Sequence, residues 1–119
     1  MSDSLVWTLS LVMAGIIPDR KLVVRVVHPE PSLAEIEIVN AGAIDAVPPT
    51  SVSLVWTEGR LVGADGLAGF ECVRGGDDRA TLQFPTTATA DIVGVGERLK
   101  IGWFRFDRPI GVKVDGIRQ

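Results

Sequence analysis

The sequence predicts an all-β sandwich of about seven strands, preceded by a short N-terminal helix. Three observations carry that prediction. After Pro18 the chain settles into short runs of β-branched and aliphatic residues. Gly, Pro, Asn and Asp separate those runs. Within each run, apolar and polar residues alternate, as sheets with one wet face require.

The opening stretch, SLVWTLSLVMAG, fits two periods. Taken in twos, Leu5, Trp7, Leu9 and Leu11 alternate with Val6, Thr8, Ser10 and Val12 like a half-buried strand. Taken in threes and fours, Leu5, Leu9, Val12 and Met13 share one side of a helix. Ser4 is a good N-cap, Gly15 stands where a left-handed C-cap residue belongs, and Pro18 follows as a stop. Met13, Ala14 and the leucines favour helix, against Val6, Thr8 and Val12. We therefore read a helix within residues 1–17 and a sandwich over 18–119. The helix is apolar nearly all round, so it wants burial on more than one side. Trp7 and Leu11 are the expected outward residues of an interface with a neighbouring domain or with a second copy across a two-fold axis.

Strands are expected over 21–28, 34–40, 52–57, 67–73, 79–84, 98–106 and 110–114. Alternation assigns an inner face to Leu22, Val24 and Val26, to Ala34, Ile36 and Ile38, and to Val52, Leu54 and Trp56. It does the same for Ala80, Leu82 and Phe84 and for Ile110, Val112 and Val114. Arg25, Glu35, Glu37, Thr81, Gln83 and Lys113 take the opposite faces. Trp56 matches the core-filling tryptophan of immunoglobulin-like sandwiches, and the predicted fold is of immunoglobulin or fibronectin type. In LKIGWFRF, Leu99, Ile101 and Trp103 share one face while Phe104 and Phe106 take the other. A bulge at Gly102 or a second packing partner would account for this.

Length and composition narrow the function. The chain has 119 residues, enough for one domain with a self-sufficient core. Twelve Lys and Arg against fifteen Asp and Glu give a net charge of −3 with no run of one sign. A nucleic-acid partner is therefore not expected, because no basic stripe is present to neutralise phosphates. Cys72 is the only cysteine, which rules out an internal disulfide and a Cys-based zinc site. The apolar stretch 5–17 is too short for a membrane span, and the Met-Ser-Asp-Ser before it reads against a signal peptide.

Chemistry-bearing residues are sparse. His28 is the single histidine, and its place at a strand end before Pro29 reads as exposed or hydrogen-bonded. Glu35 and Glu37 share a wet face, where Arg25 can pair with one of them. Asp65, Asp77 and Asp78 lie in turns without the dense alternation of a calcium loop. GADGLAGF lacks a phosphate-loop pattern and reads as a hairpin turn followed by a small-residue strand. No catalytic, cofactor-binding or metal-ligating residue is assigned, no cofactor is expected, and the chain is not read as an enzyme. Trp103, Phe104 and Phe106 are the residues expected to offer a ligand or partner surface.

The ordered set LVWTLSLVMAG, LVVRV, IEIVNAGAIDAVPP, VSLVW, GADGLAGF and IGWFRFDRP resembles the C-terminal part of an uncharacterised bacterial family. Its members look like a glycoside-hydrolase-type barrel followed by a β-sandwich tail. The resemblance covers residues 5–114 and implies that the opening helix is the barrel's last and the remainder its tail. The barrel and its carboxylates are absent here, so no catalytic residue carries over. The function expected is a non-catalytic accessory module supporting a carbohydrate-active barrel. The alternative is a carbohydrate-binding module using the Trp103 to Phe106 strand.

Overall fold

A computed structural model describes residues 2–9, 20–85 and 92–118, with 2–9, 20 and 21 described by their backbone alone. Nine strands form in chain order: β1 (Ser2–Leu9), β2 (Arg20–Glu30), β3 (Leu33–Asn40), β4 (Ser51–Trp56), β5 (Leu61–Gly66), β6 (Glu71–Arg74), β7 (Arg79–Gln83), β8 (Arg98–Phe106) and β9 (Val112–Arg118). They make two antiparallel sheets, ordered β1-β2-β3-β8-β5 and β6-β7-β4-β9. The protein is an all-β sandwich of immunoglobulin/fibronectin-like type.

The alternation read from the sequence sets the core. Leu22, Val24 and Val26 of β2 and Ala34, Ile36 and Ile38 of β3 meet Val52, Leu54 and Trp56 of β4 and Ala80 and Leu82 of β7. All are buried, because the period of two sends every second side chain between the sheets. Phe84, Ile110, Val112 and Val114 pack with them. On the outer face Arg25 stands opposite Glu37 and pairs with it at 3.1 Å. Glu35 is held by Lys100 at 3.2 Å.

The helix expected over 1–17 is corrected where the structure describes it: Ser2–Leu9 is strand β1, paired along its whole length with β2. Residues 10–17 lie outside the described residues. Both periods fit so short an apolar run, and ladder hydrogen bonds to β2 settle it, which local capping signals cannot outweigh. A second difference is β5. The GADG expected as a turn completes that strand, and the reversal falls at Leu67–Gly69 instead. Gly66 explains why, since a Cβ there would collide with the carbonyl of Phe70 as the chain folds back. These two strands raise the count from the expected seven to nine.

In β8 the mixed faces resolve into the expected bulge. Ile36 stands opposite Gly102 and Glu37 opposite Lys100, so Ile101 is the extra residue. The slip lets Ile101, Phe104 and Phe106 all turn inward, while Trp103 stays outside. The sandwich thereby acquires two different ends. The β3–β4, β5–β6 and β7–β8 connections share one, and the β2–β3, β4–β5, β6–β7 and β8–β9 connections share the other.

Candidate functional site

The three aromatics expected to form a surface part company. Phe104 and Phe106 are buried against Trp56, with ring centroids 6.2 Å and 5.1 Å from it. They fill the core and offer nothing to a ligand. Trp103 remains on the outer face, half-buried, between Glu35 of β3 and Asp65 of β5. Its six-membered ring lies over Gly63, where a Cβ would sit 3.5 Å from Cζ3. Trp7 stands on β1 opposite Leu22, and Leu11 lies outside the described residues. The expected interface through a helix therefore has no helix at Trp7 to rest on.

His28 places Nδ1 3.1 Å from the carbonyl oxygen of Leu33, the hydrogen-bonded role expected for it. Asp78 pairs with Arg79 at 3.6 Å, and Asp65 sits apart on the face of β5. Among the described residues no three His, Cys, Asp or Glu side chains come together to hold a metal ion. Cys72 is half-buried on β6, and burial pushes its thiol up, opposed by Arg74 and reinforced by Asp65. A thiol so placed is a poor nucleophile at neutral pH.

The most organised polar group is one that strand reasoning left unremarked. Asn40, at the end of β3, is 1% exposed, the one buried polar residue of the described core. Its Nδ2 donates to the carbonyls of Ile44 at 2.8 Å and Val93 at 2.9 Å, and its Oδ1 accepts from the Gly42 amide at 2.9 Å. Its own backbone bonds to Glu97 and Gly96. The signal in the sequence was Asn-Ala-Gly closing an alternating strand, an Asx-turn pattern.

Through these bonds Asn40 ties the β3–β4 loop to the segment before β8. Ala46 and Val93 complete the tie, exchanging backbone hydrogen bonds of 3.0 Å and 2.8 Å with both side chains buried. Asp45 adds another, its Oδ1 accepting from the Val95 amide at 3.2 Å. Ile44, Val47, Ile92 and Val95 are left facing water, Val47 at 56% and Ile92 at 63% exposure. These four, with Val62 and Val73 elsewhere, are the exposed large aliphatics of the described residues. Their concentration on two cross-tied loops makes this end of the sandwich the candidate site.

No protein-family model, curated protein or solved structure matches the chain. The resemblance to the barrel-and-sandwich family thus stands on the quoted segments alone. What the structure describes is an all-β sandwich without a metal-binding or catalytic cluster among those residues.

Proposed function

We propose that the chain is a non-catalytic accessory module that docks through its apolar loop end onto a neighbouring domain, the carbohydrate-active barrel implied by the resemblance. The observation that carries this reading is the grouping of Ile44, Val47, Ile92 and Val95 on loops already locked by Asn40. Aliphatic side chains grouped at one place mark contact surfaces, whereas single exposed ones are ordinary. Loops fixed beforehand lose little conformational entropy on docking, so more of the burial energy is kept.

Hydrogen exchange tests the reading on the chain alone and joined to the domain encoded beside it. Protection gained at 44–47 and 92–95 in the joined protein supports it. Unchanged exchange there, with protection gained elsewhere, rejects it.

A second reading, carbohydrate recognition, is favoured by Trp103 alone. An indole on an open sheet face between two carboxylates, Glu35 and Asp65, offers one stacking ring and acceptors for hydroxyls. Titration with soluble oligosaccharides should then perturb Trp103 fluorescence saturably and fail in Trp103→Ala. Titrations that match between the two proteins reject it.

A further inference from the structure

At the end of the sandwich opposite the apolar loops, a cleft of about 420 Å³ opens between the β4–β5 turn and the β6–β7 hairpin. Arg60, Leu61 and Val62 line one wall, and Arg74 and Asp77 the other. The volume lies within the range of small-molecule sites, about 300 to 1,000 Å³. We infer that this cleft binds the oxyanion group of a small organic anion, a carboxylate or a phosphate, between Arg60 and Arg74.

Charge pairing points there first. Arg25, Arg79, Lys100, Arg105 and Arg108 each lie within 3.6 Å of a carboxylate. Arg60 and Arg74, like Arg98, Lys113 and Arg118, form no ion pair with a described carboxylate, and of these five only Arg60 and Arg74 line the cleft. Asp77 is the single acid there, so the lining is net positive in a chain whose overall charge is −3. Guanidinium forks match the two oxygens of a carboxylate or phosphate with parallel hydrogen bonds.

Arg74 is held through its side chain and Arg60 through its backbone. Arg74 donates from Nη2 to the carbonyl of Leu61 at 2.9 Å, spanning from β6 to β5. That bond uses one of five N–H groups and leaves the others for a ligand. The backbone of Arg60 is clamped to Asp107 twice. Its amide donates to Asp107 Oδ1 at 2.9 Å, and its carbonyl accepts from the Asp107 amide at 3.0 Å. Before it, Gly59 has φ 111°, and a Cβ there would strike Ile110. Only glycine lets the turn pass this close to the core and start Arg60 at the mouth of the cleft. Val62, largely exposed beside it, supplies an apolar wall for the body of the ligand.

This site lies at the end of the sandwich opposite the docking loops, so it stands or falls independently of the proposed docking. The test is an amide-resolved NMR titration of the full chain, one arm with inorganic phosphate and one with glucuronate. Saturable shifts confined to 59–62 and 74–77 are expected, and the arm that saturates at lower concentration assigns phosphate or carboxylate. Arg60→Gln and Arg74→Gln should each weaken binding about tenfold or more, as the loss of a charge-assisted pair implies. Asp77→Asn should tighten it. Arg74→Gln also removes the bond to Leu61, whereas Arg60→Gln breaks no described side-chain bond and keeps the test valid if the former unfolds. Shifts that stay linear in both arms, or titrate identically in Arg60→Gln, overturn the inference.

Discussion

Trp56 is the side chain whose removal should cost this fold most. It is 3% exposed at the end of β4 and lies at 39° to Phe104 and 67° to Phe106. A tryptophan removes about 150 to 250 Å² from water, which at roughly 25 cal/mol per Å² is about 4 to 6 kcal/mol. Truncation to alanine also forfeits two aromatic contacts and leaves a cavity, and measured aromatic-to-alanine losses in cores run at about 3 to 5 kcal/mol. Against a stability of about 5 to 15 kcal/mol for a domain of this kind, Trp56→Ala should be close to unfolding. The indole nitrogen supplies an internal control, because Nε1 is buried with no hydrogen-bond partner among the described residues. Trp56→Phe loses packing but also removes an orphaned donor costing about 1 to 3 kcal/mol, so the two changes should largely cancel. Urea melts followed by circular dichroism measure both variants, with equal slopes confirming an unchanged unfolding transition. A loss under about 1 kcal/mol for alanine, or a phenylalanine variant as damaged as alanine, would refute the argument.

Asn40→Ala should cost about 1 to 3 kcal/mol, since the Ile44 carbonyl and the Gly42 amide lose their partner while the Val93 carbonyl keeps the Ala46 amide, and should speed exchange at the Gly42, Ala46 and Val93 amides. An unchanged melt would show that water replaces the side chain freely. Asp107 should titrate below the usual aspartate range, chiefly because the Arg60 amide donates to its carboxylate. Because the folded value is depressed, its stabilisation is complete above the unfolded value and disappears as pH falls through the folded one; carboxyl NMR titration reads this directly. Cys72 should label slowly with a thiol reagent at neutral pH, faster above the usual thiol range, and more slowly still in Arg74→Gln. Rapid stoichiometric labelling of the native chain at neutral pH would contradict the burial.

Most of the sandwich was legible because a half-buried strand writes its geometry as strict alternation. Every residue assigned inward on β2, β3 and β4 is buried, and even the irregular β8 announced its bulge through Gly102. What escaped depended on partners distant in sequence. Residues 2–9 carry both periods, and only the presence of β2 selects the strand. Gly66 looks like a turn residue until the carbonyl of Phe70 is seen to need the space its Cβ would take. The candidate site was hidden for the same reason. Val47 and Ile92 are unremarkable apart, and they meet only because Ala46 and Val93 pair across the β3–β4 loop and the segment leading into β8. Phe104 and Phe106 misled in the other direction, since aromatic residues on opposite faces look exposed when the bulge that turns them inward is not yet placed.

The nested pairing of the strands favours one order of assembly. β6 and β7 are joined by a tight turn, β4 closes onto β7 outside them, and β3 closes onto β8 outside that. Each closure shortens the loop that the next must close, so long-range contacts are reached through a series of small entropic steps instead of one large one.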